Sequence, residues 1–443
     1  MDQSLVFDLS LINKYDYSGP RYTSYPTAPQ FHEEFGEVEY RDIALRSNEK
    51  GSPLSLYFHI PFCDTVCFYC ACNKVVTKDR SLGTDYLRRL HQEIAMQGEL
   101  FDRSRKVEQL HWGGGTPTFI DHQQMRDLMR VTGEHFTLMD DDRGEYSIEI
   151  DPREANAETI KILREIGFNR LSMGVQDLDQ KVQKAVNRVQ SESETMIVLE
   201  AAHDSGFRSV SIDLIYGLPF QTADSFMTTL DRIIEVGPDR LSVFNYAHLP
   251  QIFKPQRRIN ESDLPPAEVK LEILQMTIER LTSAGYVYIG MDHFARPDDE
   301  LAIAQREGTL YRNFQGYSTH AECDLVAMGV TSIGMIDATY SQNLRGLDDY
   351  YQRIDNGQLA VFRGLQLNRD DLIRRDVITR LICHFQMDFS AIEKTWSIDF
   401  KEYFATDLPK LENMEADGLL SLNNGRITVL PRGRLLIRNV CMA

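Results

Sequence analysis

The chain has 443 residues, 42% hydrophobic and 26% charged, an ordinary globular balance that excludes wholesale disorder. Its 48 basic and 66 acidic side chains leave a formal net charge of −18, which argues against nucleic acid or an anionic membrane surface as partner. No apolar run approaches the roughly 18 residues a spanning helix needs, and the N-terminus, MDQSLVFDLS, lacks a basic segment ahead of an apolar one, so a cytoplasmic protein with no membrane partner is expected.

Residues 1–50 are rich in Tyr, Pro and Ser with little apolar periodicity, and read as an arm or strap. From about residue 54 to 290 short apolar runs alternate with longer periodic segments, and one domain with its connecting segments is expected over 51–364. LSLYFHI (54–60), VEQLHW (107–112), EYSIEI (145–150), RLSMGV (170–175), SVSIDLIY (209–216) and RLSVFNY (240–246) have the patterning of buried parallel strands. Helical patterns lie between them, among them 84–101, 157–167 and 222–237. Six strand–helix repeats predict an α/β fold, a parallel barrel or partial barrel, with active groups at the strand C-terminal ends. Residues 365–443 change character. A helix is predicted over 370–385 with Asp370 or Asn368 as cap, a second over 400–420, and a hairpin over 419–430 around an Asn-Gly turn. That is a mostly helical, winged-helix-like outline. It holds eleven basic and eleven acidic residues, so it lacks the footprint of a DNA binder and suits a lid or substrate cap.

Four of the seven cysteines fall within ten residues, in HIPFCDTVCFYCACNK: Cys63, Cys67, Cys70 and Cys72. Cys323, Cys383 and Cys441 are isolated. An odd count without a secretory signal argues against a disulfide framework. Structural zinc sites usually need a second ligand pair a dozen or more residues away, and none is present. A C-x2-C redox pair explains Cys67 and Cys70 alone. The run Cys63-x3-Cys67-x2-Cys70 fits a short loop around a cube of iron and sulfide, whose soft irons favour thiolates. Three ligands would leave one iron open. Closure of the cube by Cys72 and a zinc site remain the alternatives. The run Gly113–Gly115 with Thr116 and Pro117 follows a strand and, taken alone, reads as a structural turn. Glu149 and Asp213 lie near strand ends in apolar surroundings, where a carboxylate needs a partner or a ligand. His59 and His111 sit at strand ends.

The triad carries the signature of the radical S-adenosylmethionine (SAM) superfamily. The chain more closely resembles one family in it, the oxygen-independent coproporphyrinogen III oxidases (coproporphyrinogen dehydrogenases). The matching stretches are GPRYTSYPTA (19–28), YFHIPFC (57–63), CxCNK (70–74), QLHWGGGTPT (109–118), SIEIDPRE (147–154), GFNRLSMGVQD (167–177), IDLIYGLP (212–219), DRLSVFNYAHLP (239–250), GMDHFARPDDELA (290–302) and RNFQGY (312–317). The resemblance implies a partial (βα)6 barrel and a [4Fe-4S] cluster on Cys63, Cys67 and Cys70 with SAM on the fourth iron. It implies Tyr57, Gly114, Glu149 and Ile333 around that SAM, and Tyr69, Gly115, Thr116, Gln176, Arg188, Asp213 and Ala247 around a second SAM. Cys72 is expected to matter for activity without binding iron, and His59 to touch a sulfide or the substrate.

The implied reaction is anaerobic. A 5′-deoxyadenosyl radical made from SAM removes a hydrogen from the β-carbon of a propionate on coproporphyrinogen III; a further electron and CO2 leave, and a vinyl group remains. Two such events give protoporphyrinogen IX for heme biosynthesis. An electron donor such as flavodoxin or ferredoxin and an unidentified acceptor are implied, with a monomeric enzyme. A substrate with four carboxylates needs local cations despite the charge of −18; Arg21 with Tyr22, Lys74, and Arg312 with Gln315 are the candidates. The competing expectation is a related heme-trafficking protein without oxidase activity. Such proteins lack the arm and the counterpart of Cys72 and carry a histidine-containing motif where this chain reads YRNFQGY.

Overall fold

The computed structural model describes residues 5–15, 17, 19, 20 and 22–443. Arg21, a candidate for substrate contact, lies outside the described residues. The chain packs as two units that are not contiguous in sequence. One, the barrel unit, holds Phe31–Ile273 and Glu322–Gln366; the other, the C-terminal unit, holds Met1–Gln30, Leu274–Ala321 and Leu367–Ala443.

The six predicted strands all form in the barrel unit: β1 (Leu54–Ile60), β2 (Lys106–Gly114), β3 (Glu145–Ile150), β4 (Arg170–Gln176), β5 (Ser209–Tyr216) and β6 (Arg240–Asn245). Each pairs in parallel with the next. Four more strands extend the sheet beyond β1: β7 (Asp324–Met328), parallel to β1, then β8 (Ile333–Ile336), β9 (Thr339–Asn343) and β10 (Val361–Gln366), all antiparallel. These were not predicted, because β9 buries Thr339, Ser341, Gln342 and Asn343 and so has no apolar period to read.

Helices follow the parallel strands: α2 (Ser81–Gly98), α3 (His122–His135), α4 (Ala157–Glu165), α5 (Glu192–Asp204) and α6 (Ala223–Val236), and α7 (Leu347–Asp355) lies between β9 and β10. Helix α2 starts three residues before the predicted 84–101 segment and stops at Gly98. Ahead of β1, part of the expected arm is the helix α1 (Glu37–Ser47), which buries Tyr40, Ile43, Ala44 and Ser47. That i, i+3, i+4, i+7 stripe includes Ala and Ser, too weakly apolar to announce itself.

Side-chain alternation along the strands gives the sheet two chemically different faces. Partners in register share a face. Phe58, Trp112 and Ile148 are aligned and fully buried, with Phe168 edge-on to Trp112. On the other face Tyr57 aligns with His111, His111 with Ser147, Glu149 with Ser172 and Gly174 with Asp213. The apolar face is packing; the polar face is where the site lies.

In the C-terminal unit α8 (Arg369–His384) is capped by Asn368, whose side chain accepts from the Asp371 N–H. Strand β11 (Gln386–Asp388) and helix α9 (Phe389–Trp396) follow. The helix expected over 400–420 is broken into Phe400–Tyr403 and α10 (Leu408–Ala416), with Pro409 in the first turn of α10, where its missing N–H costs nothing. Strands β12 (Leu420–Asn423) and β13 (Arg426–Val429) form the predicted hairpin, with positive φ at Asn424 and Gly425, and β11 pairs with β13. Residues 274–321 belong to this unit rather than to the expected 51–364 domain. Buried Gln305 binds them to α8 by donating to the Ile289 and Cys383 carbonyls at 2.5 and 3.0 Å. Among the described residues no helix is long and apolar enough to cross a membrane.

Candidate functional site

The C-terminal end of β1 runs straight into the cysteine loop, and the loop is held by main-chain bonds. Val75 N–H donates to the Pro61 carbonyl and Thr77 N–H to that of Cys63, while Phe68 N–H donates to the Val186 carbonyl and the Asn187 side chain to the Val66 carbonyl, pinning the middle of the loop. The end of β2 lies against it, with Gly115 and Thr116 N–H donating to the Ile60 and Phe62 carbonyls. A Cβ on Gly115 would stand 2.7 Å from the Pro61 and Phe62 carbonyl oxygens, and Gly114 adopts φ +118. Glycine is therefore required here by close approach and by backbone conformation.

These ends enclose a cavity of about 320 Å³ lined by Cys63, Cys67, Cys70, Cys72, Lys74, Gly114, Gly115, Thr116, Glu149, Asp151, Arg153, Ser172, Gly174, Gln176, Arg188 and Asp213, with Tyr69. All four thiols are free. Cys63 is buried, which pushes its thiol up to about 11, and Thr116 Oγ1 sits 3.5 Å from its sulfur. Cys67 sulfur has the Arg153 and Arg188 guanidiniums at 3.5 and 3.6 Å. The Cys70 thiol is lowered by a hydrogen bond with Cys72, helped by the Lys74 ammonium, and Cys72 is raised in turn. Lys74 donates to the Cys70 and Cys72 carbonyls at 3.0 and 3.3 Å. Three sulfurs from one short loop, edged by cations and with no imidazole in the cavity lining, form a soft donor set that fits an iron–sulfur cluster.

Tyr57 stacks on His111 at 5.8 Å. His111 bonds Ser147 Oγ at 2.6 Å and stands 3.4 Å from Glu149. Gly114 N–H also donates to Glu149, at 3.3 Å. The Glu149 side chain is 49% exposed, and that exposure faces the cavity. Burial alone would raise its pKa; the bonds from His111 and Gly114 hold it below the usual value. Asp213 behaves oppositely: burial pushes it up to about 6, against the hydrogen bonds from Ser242 and Ser172. His59 has both ring nitrogens engaged, Nδ1 with the Tyr57 hydroxyl at 3.2 Å and Nε2 with the Asn73 carbonyl at 3.1 Å, and burial keeps it neutral. Two buried polar atoms at the cavity are orphans, Gln176 Oε1 and Arg188 Nε, which a polar ligand would satisfy.

Of the eleven expected cofactor contacts, Tyr69, Gly114, Gly115, Thr116, Glu149, Gln176, Arg188 and Asp213 line this cavity. Tyr57, Ala247 and Ile333 do not. Ala247 and Tyr69 share a tether, the buried Gln256 side chain, which donates to both carbonyls at 3.2 and 3.0 Å. Gln256 was missed, and its position in a short turn carries no sequence signal. Asp151 and Arg153 were also missed. They stand within the quoted SIEIDPRE, where two opposite charges just past a strand C-terminus are a readable cue. Lys74 is the one substrate candidate on the cavity. Tyr22 belongs to the C-terminal unit, where with Tyr25, Phe400 and Phe404 it lines another cavity, of about 290 Å³. Arg312 and Gln315 lie in that unit too, on the Tyr311–Ser318 hairpin. Arg312 stacks on Tyr317 at 4.6 Å; its Nε and Nη1, and Gln315 Nε2, are buried and unpartnered.

Comparison with known proteins agrees with this geometry. The family model described as radical SAM superfamily matches residues 57–233, and that of the HemN C-terminal domain matches 367–436. The oxygen-independent coproporphyrinogen III oxidase of Pseudomonas aeruginosa is 56% identical over 442 residues, covering 100% of this chain and 96% of the relative. That of Escherichia coli K12 is 54% identical over 440 residues, covering 99% and 95%. A solved structure of coproporphyrinogen III oxidase (HemN) from Escherichia coli, described as a radical SAM enzyme, superposes with a TM-score of 0.94 at 51% identity, covering 99% of this chain and 98% of that one. The chain belongs to the oxygen-independent coproporphyrinogen III oxidase family of the radical SAM superfamily.

Proposed function

We propose that this chain oxidatively decarboxylates two propionates of coproporphyrinogen III to vinyl groups without oxygen, and that Cys63, Cys67 and Cys70 hold its [4Fe-4S] cluster. The observation that carries the reading is the convergence of these three thiols, the Gly114–Gly115 edge and an ionised Glu149 on one cavity. When bound, a reduced cluster with SAM on its open iron supplies the radical that removes a propionate β-hydrogen.

The chain's own residues bind, orient and shield. Glu149 offers a carboxylate to the SAM ammonium group beside the Gly114 main chain, while Tyr57 and Ile333 complete that side. The Arg153–Asp151–Arg188 group offsets the charge of the Cys67 thiolate. Tyr69, Gly115, Thr116, Gln176, Arg188, Asp213 and Ala247 form the site of a second SAM, where the orphaned Gln176 and Arg188 atoms support a polar occupant. Cys72 lines the same cavity and serves turnover without binding iron. His59, with no free ring nitrogen, orients Tyr57. Lys74, Tyr22, Arg312 and Gln315 serve the substrate, and the buried unpartnered nitrogens of Arg312 and Gln315 support an anionic ligand there. The enzyme works as a cytoplasmic monomer with a low-potential donor such as flavodoxin or ferredoxin.

Anaerobic reconstitution followed by SAM, dithionite and coproporphyrinogen III tests this. About four irons per chain, 5′-deoxyadenosine and a divinyl product are expected. Serine at position 63, 67 or 70 abolishes both iron retention and product, whereas Cys72→Ser keeps the iron and loses turnover. Heme binding without turnover, or equal iron loss from Cys72→Ser, would overturn the reading.

A further inference from the structure

The sheet face that carries Tyr57 continues past β1. Ser55 and Tyr57 align with Leu325 and Ala327 of β7, Leu325 with Met335 of β8, Ile333 with Gln342 of β9, and Gln342 with Arg363 of β10. Directly paired residues share a face. Gln342 and Arg363 therefore stand on the same face as Tyr57, His111 and Glu149, and at the sheet end where β1 enters the cysteine loop.

Arg363 is half-buried there. Its Nε donates to Gln342 Oε1 at 2.7 Å, and its guanidinium lies over the Phe31 and Phe362 rings at 5.9 and 5.4 Å. Gln342 is 4% exposed and bonded at its other end to the Thr331 carbonyl, so it holds the guanidinium in one orientation. Burial and the nearby Arg345 guanidinium both lower the Arg363 pKa, while the Glu33 carboxylate, outside ion-pairing distance, opposes them without reversing the shift. Arg345 is joined to the cysteine loop, since the Asn73 side chain donates to its carbonyl at 3.3 Å and the Asn73 carbonyl faces His59. Among the described residues neither arginine forms an ion pair, whereas Arg41, Arg80, Arg89 and Arg126 on this unit each have a carboxylate. A half-buried guanidinium held in one orientation, with an exposed one near it and the fork nitrogens of both free, presents a site for an anion.

We propose that Arg345 and Arg363, oriented by Gln342, bind a carboxylate of the substrate distant from the propionate that reacts beside the cysteine loop. This rests on the proposed oxidation of coproporphyrinogen III and names where part of that tetracarboxylate is held. Arginine suits the task because its planar fork matches a carboxylate in two bonds.

Arg345→Gln, Arg363→Gln and Gln342→Glu are compared with wild type in the reconstituted enzyme. Coproporphyrin III and its tetramethyl ester serve as fluorescent probes of equilibrium binding. Each substitution is expected to raise the KM for coproporphyrinogen III and the Kd for coproporphyrin III by about tenfold, with kcat moving far less. Gln342→Glu keeps both arginines and supplies an internal carboxylate, so its effect reports competition for the fork rather than lost packing. Binding of the ester and of SAM is expected to be unchanged. An unchanged KM and Kd in the Arg345→Gln/Arg363→Gln double variant overturns the proposal, as does equal weakening of acid and ester or a loss of SAM affinity. Wild-type enzyme that neither binds nor decarboxylates the tetrapyrrole overturns the underlying function, which the variants alone would not.

Discussion

Two arginine pairs border the polar face of the barrel sheet, and they differ in what balances them. Arg153 and Arg188 converge on one carboxylate, Asp151, at 2.6 and 2.8 Å, and on the Cys67 sulfur. Their charge is met inside the protein by that carboxylate, beside the Cys67 sulfur. Arg345 and Arg363 have a glutamine, two aromatic faces and, among the described residues, no carboxylate within ion-pairing distance, Glu33 acting on Arg363 only from farther off. The first pair is balanced mainly within the protein, with Arg188 Nε alone left for a ligand, and belongs to the framework that shapes the cysteine loop. The second is complete only with a ligand. Net charge over the chain, at −18, hides this difference entirely.

The comparison breaks most visibly at Asp151. Its side chain is 10% exposed, and Arg188 and Arg153 are 8% and 15% exposed. Asp151→Asn leaves two buried guanidiniums facing each other, and should cost about 3–5 kcal/mol, the usual effect of removing one partner from a buried ion pair. Anaerobic urea unfolding of the metal-free protein checks this, and iron retention should fall as Cys67 loses its fixed setting. Arg363→Gln in the same assay should change stability little. Equal midpoints for wild type and Asp151→Asn would mean that the first pair, like the second, is neutralised from outside.

A third solution to buried charge sharpens the contrast. Glu93 is fully buried on α2 with no cation, and accepts from Gly329 N–H, Asn343 Nδ2 and the Tyr350 hydroxyl at 2.7, 2.7 and 2.6 Å. Burial still pushes it up to about 6, because neutral donors only partly replace water. The folded protein therefore keeps this proton at a pH where the unfolded chain has lost it. The contribution to stability is full below the unfolded pKa of about 4.5 and is lost as pH rises to about 6. The loss is up to about 2 kcal/mol. Glu93→Gln should flatten that part of the profile of unfolding free energy between pH 4 and 7.5. Parallel profiles would show that Glu93 is not the titrating group.

What could be read in the sequence follows from which physical signals survive in one dimension. β1 to β6 were legible because each buries an apolar face, and the cysteine loop was legible because its ligands lie within eight residues. Glu149 and Asp213 stood out as carboxylates in apolar strands. β9 and β10 were not legible, since β9 buries the polar Thr339, Ser341, Gln342 and Asn343 and β10 carries Arg363 and Gly364 at its centre. Arg363 meets Gln342 only through an antiparallel register, and Arg345 reaches the cysteine loop only through Asn73. Asp151 and Arg188 are 37 residues apart. Lys74, Arg312 and Gln315 were chosen by nearness to motifs, a guide that finds loops and misses sheet faces.

Salt gives the smallest and most discriminating effect. Screening shortens from about 10 Å at 0.1 M to about 3 Å at 1 M ionic strength, and it acts on charges that water can reach. Arg345 is exposed, whereas the Arg153–Asp151–Arg188 group is almost closed to solvent. Raising salt tenfold should therefore weaken coproporphyrin III binding by roughly three- to fivefold while leaving the stability contributed by Asp151 in place. In Arg345→Gln the same change in salt should weaken binding by less than about twofold, because the charge being screened is gone. The tetramethyl ester should show no such dependence in either protein. If the ester and the acid respond alike, the anion at Arg345 and Arg363 is not a propionate, and the two arginine pairs no longer differ in the way their surroundings imply.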